Sequence, residues 1–189
     1  MVSSLVVPLE SSAAGLFPGG RSHTAEAGAL KNGQILVKPC PYSPAGGAVT
    51  AAMYLPLTQA ALWAQLTRYS RWVEYFPNII RSEVLPTPQD GVRRLYQVGR
   101  KAFLLLAAEV EVYLRVYEQT QHAIQFRLER GTFADFKADL ILRDWQGGTL
   151  LTYTVQASPL IPVPSFLIEQ GMQQDLPGNL EQMRRVLCR

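Results

Sequence analysis

The chain has 189 residues, of which 48% are hydrophobic and 17% are charged, so it can form a sizeable core and is not a globally disordered protein. Its net charge of +3 is small for this length, and its Lys and Arg residues are scattered, so nucleic-acid binding is not expected. Cys40 and Cys188 lie far apart in the sequence, which argues against a zinc motif or a disulfide framework and predicts reduced thiols in a cytoplasmic protein.

Residues 1–45 have no hydrophobic period and are interrupted by glycine and proline, which predicts a loosely ordered N-terminal extension. Within it, only residues 34–38 have the character of a short strand. No apolar run approaches the ~18 residues that a membrane span requires, and no secretory signal is expected. The organised domain is predicted over residues 46–189, and it opens with an alternating strand at residues 49–55.

Two short helices are predicted after this strand. Thr58 is a good N-cap for the first helix, and Leu62 and Leu66 follow it at helical spacing. Ser70 is expected to cap the second helix, which runs to residue 75 and ends ahead of Pro77, because the residue before a proline disfavours helical geometry.

From residue 79 to about residue 159 the apolar residues recur with a period of two, which predicts consecutive antiparallel strands. These strands are expected at residues 79–85, 92–103, 108–118, 122–130, 132–143 and 149–157. The third of them contains Leu, Ala and Glu, which favour helix, but its strict alternation decides for a strand. A hairpin turn is predicted at residues 144–148.

A long helix is predicted from about residue 165 to residue 187. Apolar residues recur along one of its faces at Phe166, Leu167, Met172, Leu176, Leu180, Met183 and Leu187. Pro177 should kink or break this helix, at a cost of ~3 kcal/mol, because it removes a hydrogen bond and clashes with the preceding turn. The order of elements predicts an α+β fold in which a curved antiparallel sheet of about seven strands wraps around the helix and leaves an apolar cavity.

Five segments carry a resemblance to a known superfamily. They are residues 56–63 (PLTQAALW), 66–85 (LTRYSRWVEYFPNIIRSEVL), 131–136 (GTFADF), 149–155 (TLLTYTV) and 179–184 (NLEQMR). In this order the chain resembles the START-like (helix-grip, SRPBCC) superfamily over about residues 48–187, and it is most similar to the polyketide cyclase/dehydrase and coenzyme-Q-binding branch. The resemblance implies a helix-grip fold that encloses a hydrophobic small molecule.

Eleven side chains are predicted to point into the space between sheet and helix. They are Trp63, Val112, Leu114, Phe126, Phe136, Leu140, Leu151, Tyr153, Phe166, Met172 and Leu176. Any one of them is explained as readily by core packing, whereas together they describe the lining of a ligand site. Trp72, Tyr75 and Phe76 lie where the resemblance places the pocket mouth. There they would gate the entrance or contact a membrane surface, unless they only anchor the short helix.

No catalytic, metal-binding or cofactor-binding constellation is predicted. Glu109 and Glu111 lie two residues apart on one strand face, but Tyr113 and Arg115 share that face, which is therefore expected to be solvated. His122 has no partner in sequence that would make a metal site.

The favoured interpretation is a cytoplasmic protein, peripheral to a membrane at most, that binds or carries a lipid, isoprenoid, quinone or pigment-like molecule without catalysis. A cyclase or dehydratase acting on a polyketide-like or other apolar substrate is the first alternative, and it requires a placed acid or base. The second alternative is an assembly or interaction factor that docks a larger complex through residues 1–45 or through an exposed aromatic patch.

Overall fold

A computed structural model of the chain describes residues 22–40, 46–86, 91–103, 106–161 and 163–189. Within these ranges the helices are α1 (Ser22–Lys31), α2 (Gln59–Leu66), α3 (Trp72–Tyr75) and α4 (Ser165–Leu187). The strands are β1 (Leu36–Cys40), β2 (Gly47–Leu55), β3 (Ile79–Leu85), β4 (Arg93–Phe103), β5 (Leu106–Gln119), β6 (Ala123–Gly131), β7 (Phe133–Trp145) and β8 (Gly148–Pro159).

The strands form one antiparallel sheet in the order β1-β2-β8-β7-β6-β5-β4-β3, and α4 packs against one of its faces, which we call the inner face. The α+β helix-grip prediction is confirmed, although the sheet has eight described strands instead of about seven. The additional strand is β1, which pairs with β2.

The predicted hairpin between β7 and β8 is also present, and its central residues Gln146 and Gly147 both have positive φ angles, as a tight two-residue turn requires.

Residues 22–40 are more ordered than the loosely ordered extension that was predicted. They form α1, which was not predicted, and β1, which overlaps the short strand expected at residues 34–38. Leu30 of α1 is fully buried on the outer face of the sheet, where it packs with Leu150. The turn between α1 and β1 is also tied to α4, because the Arg184 guanidinium donates a hydrogen bond to the Gly33 carbonyl at 2.6 Å. The helix escaped prediction because one large apolar residue gives no periodic signal. Residues 1–21 and 41–45 lie outside the described ranges.

The two short helices follow β2 as predicted, but only the first is capped as expected. The Thr58 hydroxyl accepts a hydrogen bond from the Ala61 backbone N–H at 3.2 Å. The second helix begins as a 3-10 turn, Tyr69–Arg71, before α3. Ser70 lies inside this turn and makes no capping bond, so its predicted role was wrong.

Helix α4 runs without interruption through Pro177, so the predicted break does not occur. The carbonyl that loses its partner belongs to Gln173, whose exposed position allows water to replace the missing N–H. The buried residues of the helix are Ile168, Leu176, Leu180, Met183, Val186 and Leu187.

A close contact with β2 positions the beginning of α4. A Cβ atom at Gly47 would lie 3.0 Å from the Glu169 backbone nitrogen and 3.0 Å from the Ile168 side chain. Glycine at this position therefore lets the first turns of the helix approach the sheet, and this contact sets one boundary of the site described next.

Candidate functional site

A cavity of about 540 Å³ lies between the inner face of the sheet and the N-terminal half of α4. Along β8 it is lined by Tyr153, Val155, Ala157 and Pro159, which alternate with residues of the other face. At ~3.3 Å per residue, the lined stretch of this strand is about 20 Å long. The volume lies within the range of pockets that hold small organic molecules.

Aromatic side chains fill the neighbouring part of the same space. The Trp72 ring stacks on Phe76 with centroids 5.4 Å apart and meets Phe126 edge-on at 4.8 Å, while Tyr69 meets Phe126 at 6.0 Å. The Trp72 indole N–H donates to the Leu66 carbonyl at 2.9 Å, which fixes the ring. We call these four rings the aromatic cluster. It closes the inner end of the cavity, where the Phe76 ring is one of the lining groups.

Solvent reaches the other end of the cavity at the connection between β8 and α4. Leu160, Ile161 and Val163 line the cavity there, and we call them the mouth segment. Leu160 and Ile161 are 64% and 67% exposed although both are large apolar residues. Side chains that line a cavity and also face solvent define its entrance.

Few polar groups line the cavity. The Thr132 hydroxyl is already bonded to the Glu111 backbone, accepting from its N–H at 2.9 Å and donating to its carbonyl at 3.1 Å. Tyr153 is 7% exposed, and its hydroxyl makes no hydrogen bond to the described part of the chain. Burial raises the pKa of Tyr153 far above its ordinary value, and the negative charge of Asp139 adds to the shift, so this phenol is neutral at physiological pH. The remaining polar lining residues are Asn78, Asp175 and Asn179.

The structure divides the predicted inward-pointing residues into three groups. Phe136, Tyr153, Met172 and Leu176 line the cavity. Trp63, Val112, Leu114, Phe126, Leu140 and Leu151 pack in or against the surrounding core. Phe166 was predicted wrongly, since it is 63% exposed. The first turn of α4 directs Ile168 toward the sheet in its place.

The residues predicted at the pocket mouth lie elsewhere. Trp72 and Tyr75 are buried in the core, where the Tyr75 hydroxyl donates to the Gln65 carbonyl at 3.2 Å, and Phe76 lines the inner end of the cavity. The mouth segment was missed, although exposed apolar residues between the prolines that follow the last strand were a usable signal.

The two glutamates considered as an acid–base pair do not reach the cavity. Glu109 and Glu111 are exposed, and the Glu111 carboxylate accepts a hydrogen bond from the Tyr96 hydroxyl at 3.1 Å. Among the described residues, no group of three or more His, Cys, Asp or Glu side chains is arranged to hold a metal ion. In the same part of the chain, every helix is too short or too polar to cross a membrane.

The buried tyrosines predict an alkaline loss of stability. Burial raises the pKa of both Tyr69 and Tyr153, and a hydrogen bond to the Glu118 carboxylate adds to the effect at Tyr69. In the unfolded chain these phenols ionise near pH 10, whereas the folded protein keeps them protonated. Their stabilising contribution is therefore complete below about pH 9, and above about pH 10 the free energy of unfolding should fall by about 1.4 kcal/mol per pH unit for each tyrosine.

Urea unfolding between about pH 8 and about pH 11 measures this slope. The Tyr153→Phe variant should have a slope that is smaller by about 1.4 kcal/mol per pH unit. An unfolding free energy that stays constant across this range would contradict the assignment of both phenols as buried and neutral.

Comparison with known proteins places the chain in a family. The sequence profile described as polyketide cyclase/dehydrase and lipid transport matches residues 55–184. No curated protein sequence matches the chain significantly.

Solved structures share the fold at low sequence identity. A Thermus thermophilus protein superposes with a TM-score of 0.63 at 16% identity, covering 75% of this chain and 97% of its own. The STAR-related lipid transfer protein from Xanthomonas axonopodis has a TM-score of 0.58 at 16% identity and covers 81% and 99%. The Zhui aromatase/cyclase from a Streptomyces species has a TM-score of 0.62 at 12% identity and covers 76% and 94%. The predicted START-like resemblance is thus confirmed, and the chain belongs to the polyketide cyclase/dehydrase and lipid transport family.

Proposed function

We propose that the protein binds an apolar small molecule in the cavity under α4 and carries it without chemical change. The observation that supports this most directly is the cavity of about 540 Å³, whose lining is mainly aliphatic and aromatic and which opens at the mouth segment. A concave apolar site of this size is costly to leave filled with water, and it is the usual form of a small-molecule site. The likeness to a STAR-related lipid transfer protein is in keeping with this role.

The mouth segment suggests how such a ligand would be exchanged. Leu160 and Ile161 hold large apolar side chains in solvent beside the cavity. Transient contact with a membrane surface would remove them from water while the ligand enters. The protein contact expected through residues 1–45 stays a prediction.

Binding of an uncharged naphthylamine dye tests the proposal. The dye should bind one-to-one with a Kd of about 1 μM or tighter, with the rise in fluorescence that follows transfer to an apolar site. Native mass spectrometry of the protein as purified should detect any apolar molecule carried from the expression host. If the dye does not bind, and if titration calorimetry with other apolar compounds also detects no binding, the proposed function is wrong.

An enzymatic role is the second candidate, because Tyr153 and Asp175 both line the cavity. A cyclase requires a group that donates or accepts a proton at the reacting carbon or oxygen. With its raised pKa, the Tyr153 phenol can polarise a carbonyl oxygen but is a poor base at neutral pH. Incubation with a linear poly-β-ketone analogue separates the two roles. A carrier leaves the product distribution of the spontaneous reaction unchanged, and a cyclase redirects it.

A further inference from the structure

The charge of the lining restricts which apolar molecules fit the cavity. Among its described lining residues there is no lysine, arginine or histidine, and the acidic residue present is Asp175. A carboxylate or phosphate group placed inside would lose its hydration without gaining a cationic partner, and the carboxyl group of Asp175 would oppose it. The lining therefore disfavours anions such as ionised fatty acids.

One polar side chain of the lining has no hydrogen-bond partner among the described residues. The Tyr153 side chain is more than nine-tenths buried, and its hydroxyl has no hydrogen bond to the described residues. A ligand with an acceptor atom beside this oxygen would supply the hydrogen bond that the described residues leave unmade. Because the phenol stays protonated, it offers its O–H as a donor.

The position of this donor orients the ligand. Tyr153 is the innermost lining residue on β8, and its ring centroid lies 5.9 Å from that of Phe76 in the aromatic cluster. Pro159 marks the other end of the lined stretch, next to the mouth segment. A ligand bonded to Tyr153 would have its polar atom deepest and its apolar remainder directed toward the mouth.

We propose that the ligand is an uncharged molecule that carries a hydrogen-bond-accepting oxygen, such as a ketone or quinone carbonyl, at its leading end, where the hydroxyl of Tyr153 binds it. This inference rests on the proposed function and narrows it to neutral oxygenated ligands.

Three probes of one ring size test the inference by titration calorimetry: acetylnaphthalene, ethylnaphthalene and naphthoate. They present a carbonyl, a hydrocarbon and a carboxylate on the same bicyclic framework. Tyr153→Phe should weaken acetylnaphthalene binding about fivefold to tenfold, the effect of one hydrogen bond, and should leave ethylnaphthalene within about twofold. Tyr117→Phe is the matched control, since Tyr117 is exposed and does not line the cavity. The wild type should bind naphthoate at least about tenfold more weakly than acetylnaphthalene at neutral pH.

A second measurement uses the wild type alone, so it does not depend on the variant folding. The infrared stretch of the acetyl carbonyl should move to a lower wavenumber on binding than in hexane, as a hydrogen-bonded carbonyl does. An unshifted stretch, or an equal effect of Tyr153→Phe on acetylnaphthalene and ethylnaphthalene, would overturn the role of Tyr153. Equal affinity for naphthoate and acetylnaphthalene would overturn the selection against charge. If ethylnaphthalene also fails to bind the wild type, it is the proposed function itself that fails.

Discussion

The Val155→Trp variant should lose the naphthylamine dye, with its Kd raised at least about 30-fold, which corresponds to about 2 kcal/mol of binding free energy. Val155 lies in the middle of the lined stretch of β8 and is only partly buried, because its side chain borders the cavity. An indole ring at this position would occupy the space that the ligand needs. Since Val155 borders a cavity and is not packed on all sides by side chains, the overpacking penalty should be smaller than in a filled core. Fluorescence titration measures the loss, and thermal unfolding verifies that the variant is folded.

A valine outside the cavity provides the control for this substitution. Val84 on β3 is 52% exposed and does not line the cavity, so Val84→Trp adds the same bulk without obstructing the site. Its dye affinity should stay within about twofold of the wild type. Comparable affinities of the two variants would place the dye outside the cavity.

Trp72→Ala is expected to destabilise the protein by about 3–5 kcal/mol, the usual effect of removing a large buried aromatic side chain. The Trp72 ring is 3% exposed and contacts three other rings, and its indole N–H satisfies the Leu66 carbonyl. The substitution opens a void beside the existing cavity and leaves that carbonyl without its partner. Urea unfolding gives the change in free energy.

The neighbouring residue of α3 supplies the comparison. Val73 is 37% exposed, so Val73→Ala should alter stability by no more than about 0.5 kcal/mol. A loss below about 1 kcal/mol for Trp72→Ala would show that Trp72 and its ring contacts contribute little to the stability of the fold.

Alternation along the chain predicted the strands well because each has one face toward the core. In β5, the helix-favouring Leu, Ala and Glu residues did not mislead, since Val112, Leu114 and Val116 all turn to the buried face. Helix α1 was missed because Leu30 is the one large apolar residue in its sequence, and this residue is buried. The failure at Phe166 has a different origin. In the first turn of α4 several neighbouring residues are apolar, so the sequence does not determine which of them faces the sheet. The close approach of Ile168 to Gly47 determines it in the structure.

The position of the cavity could not be predicted from alternation. Leu151, Tyr153 and Val155 share one face of β8, but Leu151 packs in the core while the other two line the cavity. Alternation gives the face of a residue and carries no information on its depth along the strand. Depth depends on where the aromatic cluster ends, and that cluster joins residues of α3 and β6 that are distant in sequence.

Among the described strands, β1 and β3 are the outer two, and their residues are unfavourable for pairing with another chain. An outer strand offers unpaired backbone groups to other chains, which promotes aggregation. An exposed apolar entrance promotes it further. On β1, Pro39 removes one backbone donor. On β3, the register shifts between Ile79 and Arg81, and Arg81 forms an ion pair with Glu83 at 2.8 Å. An irregular, charged border is a poor template for intermolecular β-pairing, and this opposes the self-association that an exposed apolar entrance favours.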